Sequence, residues 1–169
     1  MWCVPALDEE FVERMEDVLT LYEKPINEKE PVVCLDERPV VLHDSPRPPT
    51  PANSGYVARK DYEYKRCGTA NVFCIVAPKL GVHLTHATAN RKRPAFATAL
   101  KLIAGTFAGA KVIHLVVDNL NTHNEKSLIE ALGEKEGMCL WQRLTVHSTP
   151  KHGSWLNQAE IAISLWWRE

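Results

Sequence analysis

A chain of 169 residues, 45% of them hydrophobic and 24% charged, has the make-up of one globular domain with a substantial core. No apolar run approaches the ~20 residues that would cross a bilayer. The acidic N-terminus, "MWCVPALDEEFVERMED", lacks the basic-then-apolar layout of a secretion signal, so a cytoplasmic protein is expected. The net charge of −1 hides an asymmetry: residues 1–30 carry nine acids and three bases, and residues 31–169 carry seventeen bases and twelve acids. A basic excess of that size suits an anionic partner without specifying one. The five cysteines (Cys3, Cys34, Cys67, Cys74, Cys139) are too widely spaced for a zinc or redox motif and are expected as core or free thiols.

Along the chain, residues 8–23 form an amphipathic helix pattern with Phe11, Met15, Val18, Leu19 and Tyr22 on one face. Residues 23–31, "EKPINEKEP", are a polar linker bounded by proline. "VVCLDE" (32–37) is a short apolar run that suits a buried strand, and "RPPTPANSG" (47–55) is a loop. "TANVFCIVA" (69–77) and "GVHLTHAT" (81–88) are two strands of a hairpin. A helix follows at 93–107, with Phe96, Leu100, Ile103 and Phe107 on one side, then an apolar strand at 111–119. Residues 121–134 are helical, with Thr122 and Glu125 spaced as a capping box. Residues 140–148 alternate like a strand, and a last helix starts near Ser154, the expected N-cap. Strands alternating with helices in this way imply a mixed sheet with helices on its faces.

Two of the apolar strands end in an acid: "VVCL" delivers Asp36 and "VIHLVV" delivers Asp118. Each could simply cap its strand. Open α/β sheets, however, place their sites at such strand ends, and paired carboxylates there call for a neutralising cation. An all-oxygen site suits Mg²⁺ or Mn²⁺. The last helix is greasy except for a stripe of Asn157, Glu160, Ser164 and Arg168, which faces either solvent or the sheet edge. In the second case Glu160 joins Asp36 and Asp118. Glu37 follows Asp36 directly and points elsewhere if the strand continues, standing behind the site.

The strings "VVCLDE", "DYEYKRCGTANVF", "VVDNLNTH" and "HSTPKHGSWLNQAE" together closely resemble the catalytic domain of bacterial insertion-sequence transposases related to the mariner group, in the DDE endonuclease superfamily. The resemblance covers about residues 31–169. It implies an α/β, RNase H-like fold: a mixed five-stranded sheet flanked by helices. It also implies a catalytic, metal-binding triad of Asp36, Asp118 and Glu160 that holds two Mg²⁺ or Mn²⁺ ions for cleavage and strand transfer at transposon ends. Asn119 and His123, in "DNLNTH", are expected to orient Asp118 or touch the phosphate. Lys151 and His152 are candidate DNA contacts, and so is "RKR" (91–93). The implied partners are transposon-end and target DNA, with a homodimer in the full transposase. Residues 1–30 match the lead-in from a DNA-binding region that is not in this sequence, and 31–169 is expected to be a catalytic domain cut short at its C-terminus. The competing expectations are an inactive remnant and another RNase H-like metal nuclease.

Overall fold

The computed structural model describes residues 8–119 and 123–166. Its elements are α1 (Glu9–Glu23), β1 (Val32–Asp44), β2 (Lys65–Ala77), β3 (Val82–Thr88), α2 (Arg93–Thr106), β4 (Ile113–Val117), α3 (Glu125–Leu132), α4 (Glu134–Trp141), β5 (Leu144–Ser148) and α5 (Gln158–Trp166). The five strands form one sheet in the order β3-β2-β1-β4-β5. The pairs β1/β2 and β2/β3 are antiparallel, whereas β1/β4 and β4/β5 are parallel.

Strand alternation divides the core into two layers. Val33 and Leu35 of β1 and Ile113, Leu115 and Val117 of β4 face α2, where they pack with Phe96, Leu100 and Ile103. Cys34 and Val116 face the other way, against Val18 and Leu21 of α1 and Ala159 and Ala162 of α5. The N-terminal helix is therefore part of the packed fold. Its buried stripe is not quite the expected one. Leu21 is buried with Val18, while Leu19 is 41% exposed, because the helix meets the sheet along the Val18–Leu21 turn.

The expected strand at 32–37 continues to Asp44. β2 pairs with it from Cys34 to Asp44, whereas β4 covers only Val32 to Cys34. Past Cys34 β1 has no neighbour on its β4 side, so Pro39 falls where one edge has no ladder partner to lose. Beyond Pro39, where β3 also ends, the two long strands become a two-stranded arm. The strand expected at 140–148 is shorter, Leu144–Ser148, because residues 134–141 form α4. α3 starts at Glu125 and is capped by Asn124, whose side chain accepts the Ser127 N–H at 3.0 Å. Thr122, the expected capping residue, lies outside the described residues. Arg93 of the "RKR" run pairs with Glu130 of α3.

α3 and α4 pack closely around Gly137. A Cβ at that position would sit 2.7–2.8 Å from backbone atoms of Ile129 and Leu128. Gly137→Ala is accordingly expected to lower the unfolding free energy by about 1–3 kcal/mol in a urea titration. An unchanged midpoint and slope would mean that the two helices are not packed this way.

Candidate functional site

Because β1 and β4 run parallel, their C-terminal ends leave the sheet at the same edge. Cys34 is in register with Val116, so two further residues on each strand bring Asp36 alongside Asp118. Alternation turns Asp36 toward the side that Cys34 faces, the side of α1 and α5, while Asp118 follows directly on the last residue of β4. Asp36 is half-buried, and its Oδ1 accepts the Glu37 backbone N–H at 2.7 Å. Its pKa is raised from the usual 3.8 to about 6. Burial is the main cause, and the charges of Asp118, Glu37 and Glu160 add to it. All three carboxylates therefore lie within electrostatic reach of Asp36.

Glu160 stands exposed in the first turn of α5. Asn157, only 1% exposed, sets where that turn begins. Its Nδ2 donates to the Leu35 carbonyl at 2.8 Å, and its Oδ1 accepts the Ala159 N–H at 3.1 Å. Its own carbonyl accepts the Glu160 N–H at 3.0 Å. The helix carrying Glu160 is thus tied to β1 one residue before Asp36. Asn157, rather than Ser154, does the capping, since Ser154 opens a 3-10 turn (Ser154–Leu156). Of the expected polar stripe, Glu160 and Ser164 are exposed, Asn157 is buried, and Arg168 lies outside the described residues. The Tyr22 hydroxyl adds a second anchor: it donates to the Leu156 carbonyl at 2.9 Å and lies 3.2 Å from Cys34 Sγ.

Glu37 turns to the opposite face from Asp36. Its side chain is 2% exposed, and its Oε1 accepts from His123 Nε2 at 3.0 Å. His123 Nδ1 lies 2.9 Å from Asp118 Oδ1 and 3.2 Å from the Asp118 carbonyl, while the ring stacks on Phe96 with centroids 4.6 Å apart. Burial opposes a charge on this imidazole. The hydrogen bonds and charges of Asp118 and Glu37 outweigh it and raise the pKa to about 9.

Asp118 Oδ1 is buried, and apart from this ion-pair contact with His123 no hydrogen bond satisfies it. A buried carboxylate oxygen held by one imidazole, beside a carboxyl that other carboxylates push toward protonation, fits a bound cation at the same edge. Asp36, Asp118 and Glu160 offer only oxygen, the donor set of a hard divalent ion. Glu37, Asp118 and His123 also hold three potential ligand atoms within 4.8 Å of one another, so Asp118 is common to both groupings.

The remaining expected residues fall nearby. Asn119 accepts from Arg14 Nη1 at 2.6 Å and donates to the Thr149 carbonyl, so its amide joins α1 to the loop after β5. Lys151 and His152 are exposed in that loop, and with Arg14 they line a cleft of about 680 Å³. His152 has φ 66°, a left-handed conformation uncommon outside glycine. Sequence reasoning missed the partner of Glu37, the anchoring role of Asn157 and the presence of Arg14 in this cleft. Of these only Asn157 had a usable signal, an asparagine just ahead of an apolar helix.

Fold and site together define a class: an RNase H-like α/β domain with acids gathered where two parallel strands end. A family model described as DDE superfamily endonuclease matches residues 31–168, and the chain belongs to that family. Among solved structures it is similar to the Mos1 mariner paired end complex with Mn, at TM-score 0.57 and 13% identity, over 98% of this chain and 51% of that one. It is also similar to the Mos1 transposase paired-end complex with left transposon end, at TM-score 0.56 and 12% identity, over 98% of this chain and 50% of that one. At such identities the likeness concerns the fold, and the chain spans about half the length of these structures. No curated protein matches it.

His123 makes stability depend on pH. Its folded pKa of about 9 lies above the ordinary 6.5, so folding favours the protonated ring. That stabilisation is complete below pH 6.5 and is lost as the pH rises through about 9. Chemical unfolding across this window is expected to show falling stability in the wild type and a flatter profile in His123→Gln. Identical profiles would contradict the buried ion pairs.

Proposed function

We propose that this chain is the catalytic domain of a DDE transposase, which cleaves DNA and transfers strands at transposon ends using divalent metal. What supports the reading is that the parallel strands β1 and β4 end toward Asp36 and Asp118 at one edge of the sheet, and that the charges of Asp118 and Glu160 act on the half-buried Asp36 carboxyl. Asp36, Asp118 and Glu160 would hold two Mg²⁺ or Mn²⁺ ions. When bound, such ions supply activation of a water or DNA 3′-hydroxyl and neutralisation of the leaving oxygen.

The chain's own residues do the positioning. Asn157 fixes the start of α5, and hence the approach of Glu160, against β1. Partial burial of Asp36 and Asp118 keeps bulk water from screening their charges. Below a pH of about 6 Asp36 takes up a proton, which competes with a cation for the same oxygens. Lys151 and His152 line a cleft with Arg14, which Glu10 pairs, and Asp8, so Lys151 and His152 are the side chains there that would reach the phosphates of a bound strand. Recognition of terminal repeats, pairing of two subunits and action within the cytoplasm belong to the proposal as properties of a full transposase.

The test is a nicking assay on supercoiled plasmid and on duplex oligonucleotides in Mg²⁺ or Mn²⁺. Wild type is expected to nick. Asp36→Asn, Asp118→Asn and Glu160→Gln are each expected to lower the rate roughly a hundredfold or more. If wild type and Asp118→Asn are equally inert with every metal and DNA, the catalytic reading fails. A preference for RNA–DNA hybrid would instead favour another RNase H-like nuclease.

A further inference from the structure

The acid after Asp36 has no part in the triad, yet its side chain is only 2% exposed, against 31% for Asp118. Glu37, on the α2 side of the sheet, and Asp118, at the end of β4, are linked by a single imidazole. Glu37 Oε1 accepts from His123 Nε2 at 3.0 Å, and His123 Nδ1 lies 2.9 Å from Asp118 Oδ1. Both His123 and Glu37 side chains are 2% exposed, so neither is free to swing into solvent. Phe96 of α2 closes the ring from one face at a centroid distance of 4.6 Å. A surface ion pair would not be held on every side in this way. The contact with His123 is what holds the buried Asp118 Oδ1, which has no further hydrogen bond among the described residues.

We propose that Glu37 is a positioning residue that acts through His123 to orient the Asp118 carboxylate toward the metal edge of the sheet. The inference rests on the metal-site reading above and adds to it an acid that lies outside the Asp-Asp-Glu set. In this arrangement Glu37 accepts one ring N–H, which fixes the tilt of the imidazole. The opposite ring nitrogen then holds one carboxylate oxygen of Asp118, and the second oxygen turns toward Asp36. Partners behind metal-binding carboxylates typically change metal affinity by roughly 10–100-fold.

The test is Mn²⁺ binding by calorimetry on the full chain without DNA, alongside thermal unfolding of each variant. Glu37→Ala and His123→Asn are each expected to weaken Mn²⁺ binding by roughly 10–100-fold. The double variant should be no weaker than the worse single one, because both act through one path. Glu37→Gln should recover most of the loss, since its amide oxygen still accepts from the ring, and it guards against a folding defect in the alanine variant. Independent, additive losses, or no rescue by Gln, would make Glu37 a direct ligand and overturn the proposal. Unchanged Mn²⁺ affinity with only a lower melting temperature would make its role purely structural and also overturn it. If wild type binds Mn²⁺ and the variants bind it equally well, this inference alone fails. If wild type binds none, the metal-site reading fails with it.

Discussion

The parallel pairing of β1 with β4 is the constraint on which the site depends. Antiparallel neighbours would send Asp36 and Asp118 to opposite edges, whereas parallel neighbours deliver both to one edge. The short ladder, Val32 to Cys34 against His114 to Val116, stops pairing the two strands with each other just where the acids begin. Backbone hydrogen bonds and apolar burial set the position of the two carboxylates, and their mutual repulsion follows from that position. The raised pKa of Asp36 expresses this repulsion together with burial.

The third acid arrives by a different device. α5 is greasy on its sheet side, where Ala159, Ala162 and Ile163 are buried, but apolar contact alone would allow it to slide. Asn157 removes that freedom by spending its amide on the Leu35 carbonyl and on the first turn of the helix. Leaving such a buried carbonyl without its donor would cost about 1–3 kcal/mol. α1 reinforces the same region through Tyr22, so a helix preceding the family-matched segment supports the element that carries Glu160.

Much of this was legible in the sequence, and what was not has physical reasons. The buried strands announced themselves as continuous apolar runs, and Asp36 and Asp118 stood out because each interrupts such a run. α4 was missed because it is short, contains Gly137 and follows α3 through Gly133 at φ 85°, so its residues carry little helical periodicity of their own. Asn157 was grouped with a polar stripe because burial of an amide depends on a partner 122 positions away. The link between Glu37 and His123 spans 86 positions and leaves no local pattern. Alternation could say that Glu37 faces away from Asp36, but it could not say what Glu37 meets there.

The central claim is that Asp36, Asp118 and Glu160 form one metal site. A crystal of this chain soaked in Mn²⁺, read by anomalous scattering, tests it most directly. The account predicts two peaks about 3.5–4 Å apart, held among the carboxylates of Asp36, Asp118 and Glu160. A single peak held by Glu37, Asp118 and His123, with Asp36 and Glu160 bare, would contradict it.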